Sequence, residues 1–406
     1  MTCSAPVRPN GTGRPSTRTR SPAPKLRTGR LRGRRGSRHA GLKRSAAPWR
    51  LAYSVLARFA RAPKDWAAVI VDAHSDLLLE LVLRRGETQS LELVLRRGQE
   101  RLFDRYWLPR LEAGGVGVQI CPLYVASAPR EESRERALAQ EAEFRRAVEE
   151  NAERVCRVRT RAELDDPRLR LVLSMEGVEP LEGDPSTFEE WYGRGVRSAS
   201  LTWNHANEFA GGIDTPTQGL TDRGRRLVRR FAELGVVLDL AHASEQTWRD
   251  VLDEEVPFSV THAGCRAVRD HPRNLADWQL EALAEHGGVL GVMALAFVVD
   301  PEAPTLSRWL DHVDHAVAAM GIEHVGLGAD FVDQAVQTDQ GHGPEEVVHA
   351  VAVAVDKSRF GLEGFTGPDD YPALVAALRG RGYDGGRLEA IMSGNWLRIV
   401  RAALPA

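Results

Sequence analysis

The sequence predicts an α/β protein built as a (β/α)8 TIM barrel, and three observations carry that reading. Eight short apolar runs cross the chain, separated by stretches of helical periodicity or turn residues. Several of the runs carry Val, Ile or Leu at consecutive positions, as in strands buried on both faces of a parallel sheet. Five of them close on a His, Asp or Glu, and polar side chains at the carboxyl ends of barrel strands converge on one face. A doubly wound open sheet shares the alternation but not polar residues at so many strand ends.

In chain order, the first strand is expected over residues 67–71 and leads into Asp72-Ala73-His74-Ser75-Asp76. Residues i and i+2 of a strand point the same way, so His74 and Asp76 can face one metal ion. The second strand spans 115–125, with Cys121 as a small buried residue, and the third spans 169–175 and ends at Glu176. A carboxylate there can bridge two cations about 3.5–4 Å apart. The fourth, 196–203, runs into Asn204 and His205; the fifth, 235–240, reaches His242; the sixth, 257–260, reaches His262. Imidazole nitrogen suits zinc. The seventh strand spans 288–295, and the eighth, 324–329, ends at Asp330.

Helices are expected over 131–158, 222–234, 245–252, 278–285 and 306–320. Thr221 and Ser244 stand as amino-terminal caps, and Gly235 and Gly321 as carboxyl-terminal stops. His312 and His315 fall on the last of these and read as solvent-facing. A further helical segment, 370–404, packs on the barrel, and 334–367 reads as an excursion near the site. Leu-Glu-Leu-Val-Leu-Arg-Arg-Gly occurs at 79–86 and again at 91–98. Two copies are too few for a solenoid, so the pair reads as an insertion after the first strand, an extended solvent-facing helix beside the mouth.

Two domains are expected, a tail over residues 1–50 and the barrel over 51–406. Net charge is −2, yet residues 1–50 carry 14 Lys and Arg and no Asp or Glu, leaving 40 basic against 56 acidic side chains elsewhere. Rich in Arg, Pro, Gly and Ser, the tail reads as disordered. Translation from a later start is a second reading, and an arm for nucleic acid or an anionic membrane a third. No run approaches the ~20 apolar residues of a membrane span, and no ~7–15-residue apolar core marks a secretory signal. Cytoplasmic localisation is the expectation. Cys3, Cys121, Cys156 and Cys265 lack paired spacing, which excludes a C-x-x-C zinc site and a disulfide framework.

The remaining polar residues admit roles by chemistry. His205 could stabilise a developing oxyanion. Asp330 could take a proton from water and deliver it to a leaving amine. Arg273, followed by Asn274, suits a substrate carboxylate. In order, the chain reads His74-Ser75-Asp76, Glu176-Gly177, Thr202-Trp203-Asn204-His205, Asp239-Leu240-Ala241-His242, His262 with Arg273-Asn274, and Gly328-Ala329-Asp330-Phe331. Across residues 67–400 this resembles the membrane dipeptidase (renal dipeptidase) family of zinc peptidases, within the metal-dependent barrel hydrolases.

The resemblance implies two zinc ions, one on His74 and Asp76 and the other on His242 and His262, bridged by Glu176. It implies substrate contacts from His205 and Arg273, with Asn274 beside them, and proton transfer by Asp330. A metal-bridging hydroxide would attack the peptide bond of a dipeptide, L-D dipeptides included. Ala241 and Ala263 stand where better-known members usually carry Ser, and the duplication also departs from the pattern. A homodimer is compatible with the resemblance, though no interface is legible. Two alternatives stay open: a related amidohydrolase acting on another small amide or lactam, and a metal-dead binding protein tethered by the basic tail. The complete ligand set argues against the second and against nucleic acid as the partner.

Overall fold

A computed structural model describes residues 69–86, 101–125, 130–332 and 360–406. Among these residues nine strands, all parallel, form one sheet: β1 Ile70–Asp72, β2 Val116–Tyr124, β3 Val155–Arg157, β4 Leu169–Glu176, β5 Val196–Ser200, β6 Val237–Asp239, β7 Phe258–Ala263, β8 Leu290–Val292 and β9 Val325–Leu327. The order β2-β1-β9-β8-β7-β6-β5-β4 is closed by pairing of β2 with β4, from Val118 opposite Arg170 to Tyr124 opposite Glu176. Eight strands therefore make a barrel, which leaves no free edge along it.

The ninth strand corrects an expectation. The segment 131–158, read as one helix, is a helix over Arg130–Glu149 followed by β3, which pairs with the start of β4 on the edge away from β2, with Val155 opposite Leu169. Asn151 breaks the helix. Its Nδ2 donates to the Ala147 carbonyl at 2.9 Å while its own carbonyl accepts the Arg154 and Val155 amides, both at 2.8 Å. An Asn side chain that satisfies its neighbours' backbone groups competes with the helical ladder.

The caps fall where the sequence places them. Thr221 accepts from the Gly224 amide at the start of helix Asp222–Leu234, and Ser244 accepts from Thr247 at the start of Glu245–Glu254. Gly235, at φ 72°, closes the first of these in the left-handed region that glycine reaches without a Cβ clash.

The first copy of the duplicated octapeptide is not a solvent-facing helix. It lies in helix Leu77–Gly86, where Leu77, Leu78 and Leu81 are fully buried. Glu80 is buried too, accepting from Trp107 Nε1 at 2.7 Å and Arg84 Nε at 2.5 Å. This helix is a member of the barrel's outer layer. The second copy, the tail and most of 334–367 lie outside the described residues.

The amino-terminal end of the barrel is sealed by the final helical segment. It comprises Gly385–Glu389, a π turn over Ala390–Gly394 and Asn395–Ala403. Trp396, Leu397 and Val400 pack against the inward-facing Val71, Val118, Ile120, Val172, Val237 and Val289. Asn395 Nδ2 donates to the Ile322 and Val325 carbonyls, both at 2.7 Å, and ties the segment to β9. With that end plugged by side chains, the opposite, carboxyl-terminal end is left for a site.

Toward that end the barrel narrows onto Thr261. A Cβ on Gly291 would stand 1.9 Å from the Thr261 carbonyl oxygen, and one on Gly328 only 1.7 Å from it. Both strands need glycine there because backbone fills the space. Gly328→Ala is expected to lower stability by at least ~1–3 kcal/mol through overpacking. Chemical denaturation of wild type and variant, read by tryptophan fluorescence, checks this; equal midpoints would contradict it.

Candidate metal centre

Four strand ends are locked together by two buried carboxylates, Asp72 and Asp239, that are not among the cluster's own groups. Asp72 accepts from Ser75 Oγ at 2.6 Å and from the Ala329 amide at 3.0 Å, binding the end of β1 to the end of β9. Asp239 does the same for β6 and β7. Its Oδ1 accepts the Ala241 and Thr261 amides at 2.9 Å each, and its Oδ2 accepts the Thr261 hydroxyl at 2.5 Å. Two residues of the site adopt left-handed backbone, His242 at φ 63° and Asp330 at φ 60°. Such strain in non-glycine residues persists where surrounding structure imposes it and clusters at functional sites.

His74, Asp76, Glu176, His242, His262 and Asp330 converge into one buried cluster. Glu176 lies at its centre. Its Oε2 is 3.2 Å from His74 Nε2, and its Oε1 is 3.2 Å from His242 Nε2 and 3.4 Å from His262 Nε2. Asp330 Oδ1 stands 3.9 Å from His74 Nε2. Ligand atoms group as His74–Asp76–Glu176, Glu176–His242–His262 and His74–His262–Asp330, each set within 4.8 Å.

The hydrogen-bond network sets the tautomers. His242 Nδ1 lies 2.7 Å from Asn204 Oδ1, an acceptor, so Nδ1 carries the proton. The Thr261 hydroxyl donates to Asp239, which leaves its oxygen to accept from His262 Nδ1 at 2.9 Å. Both Nε2 atoms then present lone pairs, 2.9 Å apart, toward the same carboxylate oxygen. Lone pairs so placed repel unless a cation lies between them. Holding Nδ1 in a donated hydrogen bond is how proteins orient a metal-ligating imidazole. Asp76 Oδ1 is also buried with no hydrogen-bond partner among the described residues, an acceptor that a cation could satisfy.

Electrostatics agree. Burial depresses His242 to about 3, with Arg273 acting in the same direction, and burial together with His74 depresses His262. His74 goes the other way: burial opposes its charge, but Glu176, Asp330 and Asp76 together raise it to about 10. A proton on His74 thus supplies the positive charge that the carboxylates demand. Burial raises Asp330 to about 6, against the attraction of His74.

Arg273 is buried, and its Nη2 donates to the His262 carbonyl at 3.0 Å. Burial lowers it to about 10, with Asp330 the foremost group holding it charged. Asn274 is placed differently from the expectation. Its Nδ2 donates to the carbonyls of Arg269 and Val298 at 2.9 and 3.0 Å, so it braces the loop that carries Arg273.

His205 is not gathered into the cluster. Its side chain is 65% exposed and its Nδ1 lies 2.9 Å from Asp214 Oδ2 at the rim. Trp203 lies between it and the cluster, 5.7 Å from His242 between ring centroids and edge-on to His205. His312, expected at the surface, is fully buried, accepting from the Cys265 amide at Nδ1 at 2.9 Å. Thr261, Asp239, Asn204 and Trp203 also belong to the centre, and the sequence does not single them out. Asp239, Trp203 and Asn204 lie within the Asp-x-x-His and Thr-x-x-His runs, but their contacts cross between strands and leave no local signal.

With this geometry in view, residues 65–405 match the family model described as membrane dipeptidase, peptidase family M19. The chain belongs to this family. It is a metal-dependent dipeptidase. Dipeptidase verJ of Clonostachys rogersoniana is 28% identical over 312 residues, covering 72% of this chain and 74% of that protein. An uncharacterized protein in the pqqA 5′ region of Klebsiella pneumoniae is 30% identical over 257 residues, 58% of this chain and 83% of that one. Among solved structures, the M19 metallopeptidase called dipeptidase AC superposes with a TM-score of 0.68 at 25% identity, covering 84% of this chain and all of that one. A Rhodobacter sphaeroides metallopeptidase, solved with a phosphinate mimic of L-Ala-D-Ala, shares the fold at a TM-score of 0.66 and 24% identity, covering 82% and 99%. As a membrane dipeptidase, the chain keeps its six acidic and imidazole groups on the ends of β1, β4, β6, β7 and β9.

Proposed function

We propose that this dipeptidase works with two zinc ions: His74 and Asp76 would hold one, His242 and His262 the other, and Glu176 would serve both. The observation that carries the reading is the pair of unprotonated Nε2 atoms 2.9 Å apart, both directed at Glu176 Oε1. When bound, the ions supply Lewis acidity toward the peptide carbonyl and activate the attacking water.

The chain's own residues do the rest. Arg273, fixed through its bond to the His262 carbonyl, receives the substrate carboxylate and sets the scissile bond over the cluster. Asp330, lifted to about 6 by burial, accepts the water's proton and returns it to the leaving amine. A carboxyl poised close to neutrality can do both within one turnover. Trp203 covers one flank of His242 and keeps water from it. His205 belongs to the rim, where its pairing with Asp214 suits contact with substrate on entry rather than at the reacting carbonyl. The substrate class includes dipeptides with a D residue at the carboxyl end.

Metal analysis and turnover together test this. Purified protein is expected to carry about two zinc ions per chain and to hydrolyse L-Ala-L-Ala and L-Ala-D-Ala. Dialysis against 1,10-phenanthroline should abolish both activities, and zinc should restore them. Two zinc ions with no turnover of either dipeptide would remove the substrate assignment. Full activity after complete stripping would remove the metal mechanism.

A further inference from the structure

Beside the metal centre lies a cleft of about 320 Å³, at the small end of ligand-sized clefts, which run to roughly 300–1,000 Å³. It shares a wall with the catalytic cluster, because His242 and Arg273 line it as well. Its remaining lining is mainly apolar: Leu240, Ala243, Trp248 and Leu275 are buried, and Ile213 and Pro216 stand toward the mouth. Charged lining groups are fewer and in part neutralised, with Arg266 Nη1 3.2 Å from Glu245 Oε1. The loop bearing Ile213 is held against the site by its amide, which donates to the His242 carbonyl at 2.9 Å.

We propose that this cleft receives the side chain of the substrate's carboxyl-terminal residue and selects large apolar side chains there. The inference rests on the dipeptidase reading and on Arg273 as the carboxylate contact. A residue anchored by its carboxylate at Arg273 projects its side chain within reach of the cleft, since Arg273 forms part of the wall. Apolar side chains gain from displacing water against Leu240, Trp248 and Leu275, whereas a charged one gives up hydration without an unpaired buried partner.

The test uses full-length, zinc-loaded protein and L-alanyl dipeptides ending in Gly, Leu, Phe, Lys or Asp, with the D series in parallel. In wild type, kcat/KM for Leu and Phe is expected to exceed that for Gly by at least ~10-fold, in line with hydrophobic-pocket discrimination. Ile213→Trp, which fills the cleft from its mouth, should reduce the Leu-to-Gly ratio by at least ~10-fold, mainly through KM. Ile213→Ala, which widens it, should raise the Phe-to-Leu ratio and carries the test if the larger side chain disturbs folding. A preference for Lys or Asp, or ratios unmoved in both variants, would overturn the assignment while leaving the dipeptidase reading intact. If zinc-loaded wild type cleaves none of the dipeptides, both fall together.

Discussion

Glu176→Gln is expected to drop zinc content from about two ions per chain to about one or fewer, and kcat/KM by ~10⁴-fold, equivalent to ~5.5 kcal/mol of barrier. The size follows from position. Glu176 alone among the carboxylates approaches all three imidazoles of the cluster, at 3.2–3.4 Å. It remains ionised despite burial because the charge on His74 beside it holds it so. Gln keeps the volume and one acceptor oxygen but replaces the second oxygen by a donor, which turns its hydrogens toward imidazole lone pairs that then have no cation to face. Asp239→Asn makes an informative companion, because Asp239 touches no proposed ligand ion and acts through Thr261 on His262. Its loss should cost ~10–100-fold in zinc affinity, with activity largely recovered at high zinc. Unchanged metal content in Glu176→Gln would dismiss the bridging role.

The second large effect is expected at Arg273. Arg273→Met should lower kcat/KM toward dipeptides by roughly 30- to 4,000-fold, the ~2–5 kcal/mol lost when one member of a buried, hydrogen-bonded charge pair is truncated. Met retains much of the stem's apolar contact, so lost packing contributes little. Wild type should turn over dipeptide amides poorly, and the variant should treat the amide and the free acid almost alike. That convergence separates carboxylate recognition from damage to the loop. Since Arg273 also bonds the His262 carbonyl, zinc content is measured alongside; full metal with equal losses on acid and amide would rule out the carboxylate role. Arg273→Lys should recover only part of the activity, because an ammonium cannot reproduce the planar fork that pairs with a carboxylate.

Much of this protein is legible along the chain. Consecutive apolar residues followed by His74, Glu176, His242, His262 and Asp330 announce both the strands and the polar groups at their ends, because strand burial and strand polarity are local in sequence. Helix caps at Thr221 and Ser244 are equally local, each a side chain serving an amide three residues on. The turn at Asn151 is not legible in the sequence because its competition with the helix is settled by β4, which offers Val155 a ladder partner. The burial of His312 is hidden for a related reason: helical periodicity does not reveal that the Cys265 amide waits opposite its Nδ1. The first copy of the duplicated octapeptide carries Glu80, which sequence reads as a surface charge and Trp107 with Arg84 make an interior one.

By itself, then, the sequence determined the barrel, the strand ends and the identity of six groups able to meet at a metal centre, since each depends on residues near one another in the chain. Only the tertiary structure decided how those groups face one another. The tautomers of His242 and His262 depend on Asn204 and on the Thr261–Asp239 pair, and the separation of His205 from the cluster depends on Trp203 lying in between. Hydrogen-bond direction and ring stacking are relations between strands, and they come into being when the barrel closes.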